Sequence, residues 1–324
     1  MADLLHLVDK PEGWTSHDVV ARLRGILGER RIGHAGTLDP FASGLLVLGE
    51  GRTTPLLSCI GLLPKRYVAR ALLGVETDTQ DRTGRVVARA TPESIPGPDR
   101  VEEALAAFRG RIMQCPPAYS AVKVGGERSY RVARRGGDPE RKPRPAHVYA
   151  LELAGEARHP EIAFTATVSR GTYVRTLAHD LGQALGCGAH LTALRRTAIG
   201  PFQVEDALSP ARDAGHGAER FRERALPPER ALAFLPRVRL DRNEADRLRF
   251  GAAPSSDPAR LEAAQGDDPL PPGEAGWPVA LLDDEGMLVA LARPMESQRP
   301  GEPMALLRVM SATPERTPAG EEGR

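Results

Sequence analysis

Two stretches of this chain alternate apolar with polar or small residues, and no regular succession of helices separates them. Residues 66–73 place Tyr67, Ala69, Ala71 and Leu73 on one face. Residues 161–168 do the same with Ile162, Phe164, Ala166 and Val168. That period of two is the signature of strands with one buried face. Helical spacing appears elsewhere. Val19, Val20, Leu23, Ile26 and Leu27 recur at helical intervals over 15–28, where Thr15 or Ser16 can cap the start and Gly28 the end. Leu177, Leu181, Ala184 and Leu185 repeat the pattern later. Asp99 and Glu102 resemble a capping box before Val101, Leu105 and Phe108, and Gly110 ends that helix. Residues 45–48 read as a short buried strand, and 147–154 pairs with 161–168. Strands and helices in mixed order, without β-α-β alternation, predict an α+β fold and not a doubly wound sheet.

A chain of 324 residues is long enough for about two domains. A Pro-bounded segment at 209–236 leads to the second. There, apolar runs at 279–282 and 287–292 flank Asp283-Asp284-Glu285-Gly286, a hairpin turn, and 304–310 supplies another strand. Residues 253–275, rich in Pro, Gly and Asp, are expected to be a flexible insertion. Residues 311–324 are expected to be a disordered tail. No run of about 18 apolar residues suggests a membrane span. The first residues lack the basic and apolar regions of a secretory signal. Cys59, Cys115 and Cys187 are far apart and form no C-x-x-C pair, so a disulfide framework or cysteine zinc site is not expected. A cytoplasmic setting follows.

The net charge of +1 argues at first against a nucleic-acid partner, but it is a cancellation. Residues 1–240 carry 35 Lys and Arg against 27 Asp and Glu, whereas 241–324 carry 9 against 16. The basic excess is densest at 109–147, where ten Lys and Arg meet three carboxylates and are interleaved with Tyr119 and Tyr130. A solvated charged loop is one reading of this segment. Interleaved tyrosines make RNA contact its rival.

The chain holds no Walker-type phosphate loop, no G-x-G-x-x-G after a strand and no H-E-x-x-H. Its conspicuous stretch is Gly33-His34-Ala35-Gly36-Thr37-Leu38-Asp39-Pro40-Phe41-Ala42-Ser43-Gly44. The glycines allow tight turning and close approach of a ligand. Pro40 holds Asp39 extended. Such a loop presents one carboxylate rigidly, with a histidine five residues earlier. By composition alone a turn between a helix and a strand is the favoured reading.

This stretch resembles the catalytic motif of TruB-type tRNA pseudouridine synthases, and further segments resemble that family in the same order. They are Asp9-Lys10-Pro11-x-Gly13-x-Thr15-Ser16, Lys65-Arg66-Tyr67, Gly74-x-x-Thr77-Asp78-Thr79-x-Asp81 and Pro117-x-Tyr119-Ser120-Ala121-x-Lys123, then Gly171-Thr172-Tyr173-x-Arg175-Thr176 and Gly186-Cys187-Gly188-Ala189-His190-Leu191-x-x-Leu194-Arg195-Arg196. Together they span about residues 4–236. The resemblance implies a mixed, largely antiparallel sheet flanked by helices, in a catalytic domain over 1–236. A small β-rich PUA-like domain over 237–310 would follow. It implies isomerisation of uridine 55 in the tRNA T loop to pseudouridine, after extrusion of the base. Asp39 matches the catalytic aspartate, which attacks the ribose or initiates elimination there. Tyr67 matches the residue stacked on the base, and Arg175 the partner of the carboxylate. An Arg beside an Asp favours the ionised form. His34 matches the residue credited with base extrusion, and Tyr173 and Leu194 match residues lining the base pocket. Lys10 is expected to support the catalytic loop or to touch substrate phosphate.

The basic excess at 109–147 corresponds to the family's RNA-gripping thumb, with Lys123, Arg128, Arg131, Arg134 and Arg135 as candidate RNA contacts. Its presence favours the stand-alone bacterial type, acting on the tRNA T stem-loop without guide RNA or an obligatory protein partner. The reaction is redox-neutral, so neither cofactor nor metal is expected. Asp78 and Asp81 read as a solvated or RNA-orienting turn, and Cys187 as a small buried residue. Two other classes of function compete. One is an RNA-binding or tRNA-folding module without essential chemistry, which would not need Asp39, Tyr67 and Arg175 together. The other is a glycosidase pairing Asp39 with Asp78 or Asp81, which would leave the basic segment and His34 unexplained.

Overall fold

A computed structural model describes residues 3–120, 123–124, 127–129, 132, 135–137, 141–155, 159–213, 215, 217–264 and 276–310. The expected tail at 311–324 and much of the expected insertion (265–275) lie outside the described residues, as do Arg131 and Arg134. In chain order the first strands are β1 (Leu5–Lys10), β2 (Ile32–His34), β3 (Ser43–Glu50), β4 (Lys65–Leu73), β5 (Val75–Thr77) and β6 (Val86–Arg89). Then come β7 (Gly110–Gln114), β8 (Lys123–Val124), β9 (Glu127–Arg128), β10 (Arg144–Leu153), β11 (Glu161–Val168), β12 (Ala189–Ile199) and β13 (Phe202–Gln203). The last four are β14 (Arg237–Arg239), β15 (Val279–Leu282), β16 (Leu288–Ala292) and β17 (Leu306–Val309). The helices are α1 (Ser16–Leu27), α2 (Leu57–Leu62), α3 (Pro98–Ala107), α4 (Val174–Ala184), α5 (Gly217–Glu223), α6 (Pro228–Ala231) and α7 (Arg242–Arg249). None of the described helices is long and apolar enough to cross a membrane.

By backbone proximity the chain forms two units. One comprises His6–Leu48 and Leu57–Arg224, and the other Met1–Leu5, Gly49–Leu56 and Ala225–Arg324. The main sheet has the order β1-β3-β12-β4-β11-β10-β7, with β2 and β13 paired off that path. β4 pairs antiparallel with both β11 and β12, and β10 pairs antiparallel with β11 and β7. The β3–β12 pair is parallel. A mixed, largely antiparallel sheet is therefore present, as expected.

The pattern of β4 explains its central place. Lys65, Tyr67, Ala69, Ala71 and Leu73 are buried, while Arg66, Val68 and Arg70 are exposed. One face packs on the core and the other meets solvent. The buried face joins Phe164, Ala166, Leu177, Leu181 and Leu191 in one apolar cluster. A second cluster forms where Val19, Val20, Leu23 and Leu27 of α1 meet Val8, Leu46 and Leu48. The start of α1 is a capping box: Thr15 Oγ1 accepts from the Asp18 N–H at 3.1 Å, and the Asp18 carboxylate accepts from the Thr15 N–H at 2.8 Å. Such a cap is worth about 1 kcal/mol.

One local expectation is corrected, and two elements had no sequence reading. β12, seen in the sequence only as motif residues, is a central strand of eleven residues. Its register slips between Leu191 and Ala193 and again between Arg196 and Ala198, so its buried positions fall out of simple alternation. The N-cap of α3 is Gly97 and its first residue is Pro98, so Asp99 does not cap it. A proline whose φ already suits a helix fits that first position. In the unit that includes Ala225–Arg324, the strands at 279–282 and 288–292 and the final strand occur as expected, joined by β14 into a four-stranded sheet. α7 is an addition. It is too polar for its periodicity to be legible and buries only Ala245 and Leu248.

Candidate active site

The loop between β2 and β3 is fastened on both sides of Asp39. Before it, the Ser16 hydroxyl accepts from the Leu38 N–H at 2.9 Å and donates to the Leu38 carbonyl at 3.3 Å. After it, the Pro40 carbonyl accepts from the Gly13 N–H at 2.8 Å and from Lys10 Nζ at 3.5 Å. The loop's two ends are tied together by Arg196, whose Nε donates to the Leu45 carbonyl at 2.7 Å and whose Nη2 donates to the Gly36 carbonyl at 3.2 Å. Arg196 is 1% exposed. Gly44 makes this closure possible. Its φ is +108°, and a Cβ there would lie 2.2 Å from the Arg196 carbonyl oxygen. Any side chain would force the two strands apart.

Arg175 stands in the first turn of α4 and is 4% exposed. Its Nη2 donates to Asp39 Oδ1 at 3.2 Å, and its Nε lies 2.8 Å from Asp39 Oδ2. The Nε–H is not aimed at that oxygen, so this second contact is an ion pair and not a hydrogen bond. The same guanidinium donates to the carbonyls of Thr79 and Tyr119, each at 3.0 Å. Nη1 also lies 3.7 Å from Asp81 Oδ2. Arg175 is thus shared by two carboxylates. Burial holds the Asp39 carboxyl above its ordinary value of 3.8. Arg175 pulls it down, and the neighbouring charge of Asp81 pushes it up again. About a third of the Asp39 side chain remains open to solvent.

Asp81 corrects an expectation, because it is neither solvated nor free to orient RNA. It is 4% exposed, and its Oδ1 accepts from Thr79 Oγ1, the Thr83 N–H and Thr83 Oγ1. Asp78 does cap a more open turn, accepting from the Arg85 N–H at 2.8 Å and pairing with its side chain. A glycosidase-like carboxylate pair finds no support here, since Asp81 is buried, faces a different nitrogen of the Arg175 guanidinium and has one oxygen held by three hydrogen bonds.

Tyr67, on β4, is buried in the same apolar cluster as Leu38, Phe41, Ala42 and Leu194. This cluster brings the residues flanking Asp39 together with two of the expected base-contacting side chains. Tyr173, half-buried, is the residue immediately before α4. Both of its backbone groups are held by the buried Gln114: its N–H donates to Oε1 at 2.8 Å, and its carbonyl accepts from Nε2 at 3.0 Å. His34, half-buried at the end of β2, is held below the ordinary imidazole range by burial and by Arg196, so it is neutral at neutral pH. Lys10 is fully buried and donates to the carbonyls of Pro11, Trp14 and Pro40. Burial lowers its pKa to about 8. Lys65 is similarly spent on the Gly61 and Leu63 carbonyls and lowered to about 7.

In the basic segment, β8 with Lys123 pairs antiparallel with β9 and Arg128. Arg135 is exposed in a turn. Cys187 is buried, and burial pushes its thiol up, away from reactivity. Among the described residues no three His, Cys, Asp or Glu side chains are grouped as if to hold a metal ion. Reading the sequence missed Gln114, the loop-tying role of the motif residue Arg196, and the partnership of Asp81 with Arg175. Spacing alone gave no signal for these contacts, because each acts on groups far along the chain.

Residues 24–174 match the TruB family pseudouridylate synthase N-terminal domain, and residues 175–232 match the tRNA pseudouridylate synthase B C-terminal domain. The tRNA pseudouridine synthase B of Geobacter sulfurreducens is 41% identical over 291 residues, covering 88% of this chain and 91% of that protein. The protein of the same name from Thermobifida fusca is 43% identical over 299 residues, covering 90% and 94%. Among solved structures, a Cbf5–Nop10–Gar1 complex aligns with a TM-score of 0.71 at 28% identity, covering 94% of this chain and 84% of that one. An H/ACA ribonucleoprotein bound to a substrate RNA containing 2′-deoxyuridine aligns with a TM-score of 0.69 at 26% identity, covering 95% and 85%.

Proposed function

The chain belongs to the TruB family of pseudouridylate synthases and is an isomerase of tRNA uridine, and from that premise we propose that its target is uridine 55 of the T loop. The observation that carries the mechanistic reading is the Asp39–Arg175 pair, with its carboxylate partly open to solvent. The reaction breaks the bond between the ribose and the base nitrogen and forms one between the same ribose carbon and a base carbon. The proton on that carbon leaves and a ring nitrogen gains one, so no electron acceptor is consumed. Asp39 begins the exchange as a carboxylate, by attack on the ribose or by elimination there. Arg175 holds that carboxylate in orientation. Tyr67 stacks on the detached base and assists proton movement at the new bonding carbon.

A uridine within the T loop is out of reach until it is extruded. His34 fills or stabilises the gap, and as a neutral ring it can do so without a charge to desolvate. Tyr173 and Leu194 line the base pocket. Lys10 supports the loop, since its ammonium is already occupied by three carbonyls. We assign RNA contact to Lys123, Arg128, Arg131, Arg134 and Arg135 of the thumb at 109–147. We assign catalysis to residues 1–236, a PUA-like unit to 237–310 and the cytoplasm as the setting. The relatives named tRNA pseudouridine synthase B, matched over most of their length, support tRNA as the substrate, and we propose that no guide RNA takes part.

The test is incubation of the purified protein with an unmodified T-arm stem-loop, without added cofactor. A probe specific for pseudouridine then reads the position corresponding to uridine 55. Conversion at that position is expected, and conversion elsewhere alone would overturn the site assignment. The pH dependence has a definite sign. Asp39 acts ionised and its pKa is raised, so activity is present above that value and lost as pH falls through it. The acid limb of the single-turnover rate is expected above pH ~4, where a solvated Asp would titrate. Asp81→Asn removes one of the raising causes, so the limb should move to lower pH in that variant.

A further inference from the structure

Gln114 is the last residue of β7, at the point where the chain leaves the edge of the main sheet for the basic segment. It is 3% exposed. Its amide makes two hydrogen bonds, and both go to the backbone of one residue 59 positions later, Tyr173. No side chain caps the start of α4 at Tyr173. The Tyr173 carbonyl also accepts the first helical hydrogen bond, from the Leu177 N–H at 3.0 Å. Gln114 therefore fixes the peptide groups from which α4 departs. Five residues further on, the Tyr119 carbonyl accepts from Arg175 Nη2 at 3.0 Å. The root of the basic segment thus grips the first turn of α4 twice, at Tyr173 and at Arg175. Arg175 in turn holds Asp39.

We propose that Gln114 is a positioning residue for the isomerisation. Its amide sets the first turn of α4, and with it the angle at which Arg175 meets Asp39, so that the root of the RNA-contacting segment and the catalytic pair are held as one unit. The proposal rests on Asp39 and Arg175 acting as assigned above. Gln114 itself touches no reacting atom. A glutamine that merely satisfied two buried backbone groups would affect stability and not the rate of bound substrate. An error of about 1 Å in a catalytic constellation slows a reaction about 100-fold, which is the effect that separates the two roles.

The experiment uses the full-length enzyme and an unmodified T-arm stem-loop under single-turnover conditions, with enzyme in saturating excess and binding measured separately. Gln114→Met keeps the length of the side chain and removes both hydrogen bonds. Its saturating rate should fall roughly 10- to 100-fold while the dissociation constant changes less than about threefold. Gln114→Glu is the second variant. A neutral carboxylic acid can accept from the Tyr173 N–H and donate to its carbonyl, whereas a carboxylate can only accept. Burial favours the neutral acid as pH falls. The rate of this variant relative to the parent should therefore climb toward one between about pH 8 and about pH 6. A saturating rate of Gln114→Met within twofold of the parent overturns the proposal, as does a pH-independent ratio for Gln114→Glu. If the Met variant does not fold, the ratio decides alone. A parent enzyme inactive on the stem-loop would instead overturn the substrate assignment, so the two failures are distinguishable.

Discussion

Asp39→Asn is expected to lower the saturating single-turnover rate by about 10⁴-fold or more, while tRNA affinity changes less than about threefold. The substitution is nearly isosteric, so the loop keeps its fastenings at Leu38 and Pro40, none of which involves the Asp39 side chain. What disappears is the charge. An amide can neither attack the ribose nor take a proton from it. Affinity survives because Asp39 makes no attractive contact with phosphate; a carboxylate facing RNA is mildly repulsive. Stability is expected to change by less than about 1 kcal/mol, because the same burial that raises the Asp39 pKa already disfavours its charged form in the fold. The measurement pairs single-turnover conversion of a T-arm stem-loop with direct binding of the same RNA. Unchanged turnover would falsify the role assigned to Asp39.

Arg175→Lys should show how much depends on the shape of the cation and how much on its charge. Arg175 serves Asp39, Asp81 and the carbonyls of Thr79 and Tyr119 with one planar fork. A lysine ammonium is a compact point donor and cannot span that set. The saturating rate is expected to fall by about 10²- to 10³-fold. Stability should drop by less than the roughly 3–5 kcal/mol that removal of one partner of a buried pair costs, because the charge is retained. Arg175→Met goes further, because it leaves two close carboxylates with no cation between them. Its residual activity should have an acid limb at higher pH than the parent's, since the main influence that lowers the Asp39 pKa is gone. That shift is opposite in sign to the one expected of Asp81→Asn. Denaturant unfolding and a pH–rate profile of the three variants check both statements. Shifts of the same sign in Arg175→Met and Asp81→Asn would rule out the shared guanidinium as the source.

The elements that could be read along the chain are those whose pattern is local. Tyr67, Ala69 and Ala71 alternate because β4 has one dry face, and the helix at 16–27 announces itself through Thr15, Asp18 and Gly28 at its ends. The motif around Asp39 was legible for the same reason: its Gly and Pro residues encode backbone conformation directly. β12 was not legible, because two register slips break the alternation that marks a strand. Asp81 was misjudged because a Thr- and Asp-rich turn has the same composition whether it is solvated or buried against a guanidinium. Gln114 gave no signal at all, since a single amide in an ordinary edge strand acquires meaning only from the residue it meets 59 positions later.

By itself, the sequence determined the α+β class and the family and singled out Asp39 and Arg175 as the candidate pair, all of which reside in local patterns and ordered motifs. Only the tertiary structure decided how that carboxylate is held: which cation it shares with Asp81, which way burial moves its pKa, and which buried groups lock the loop and the first turn of α4. Those are properties of distances between segments far apart in the chain. A charge responds to everything within a few ångströms of it, whatever its place in the sequence.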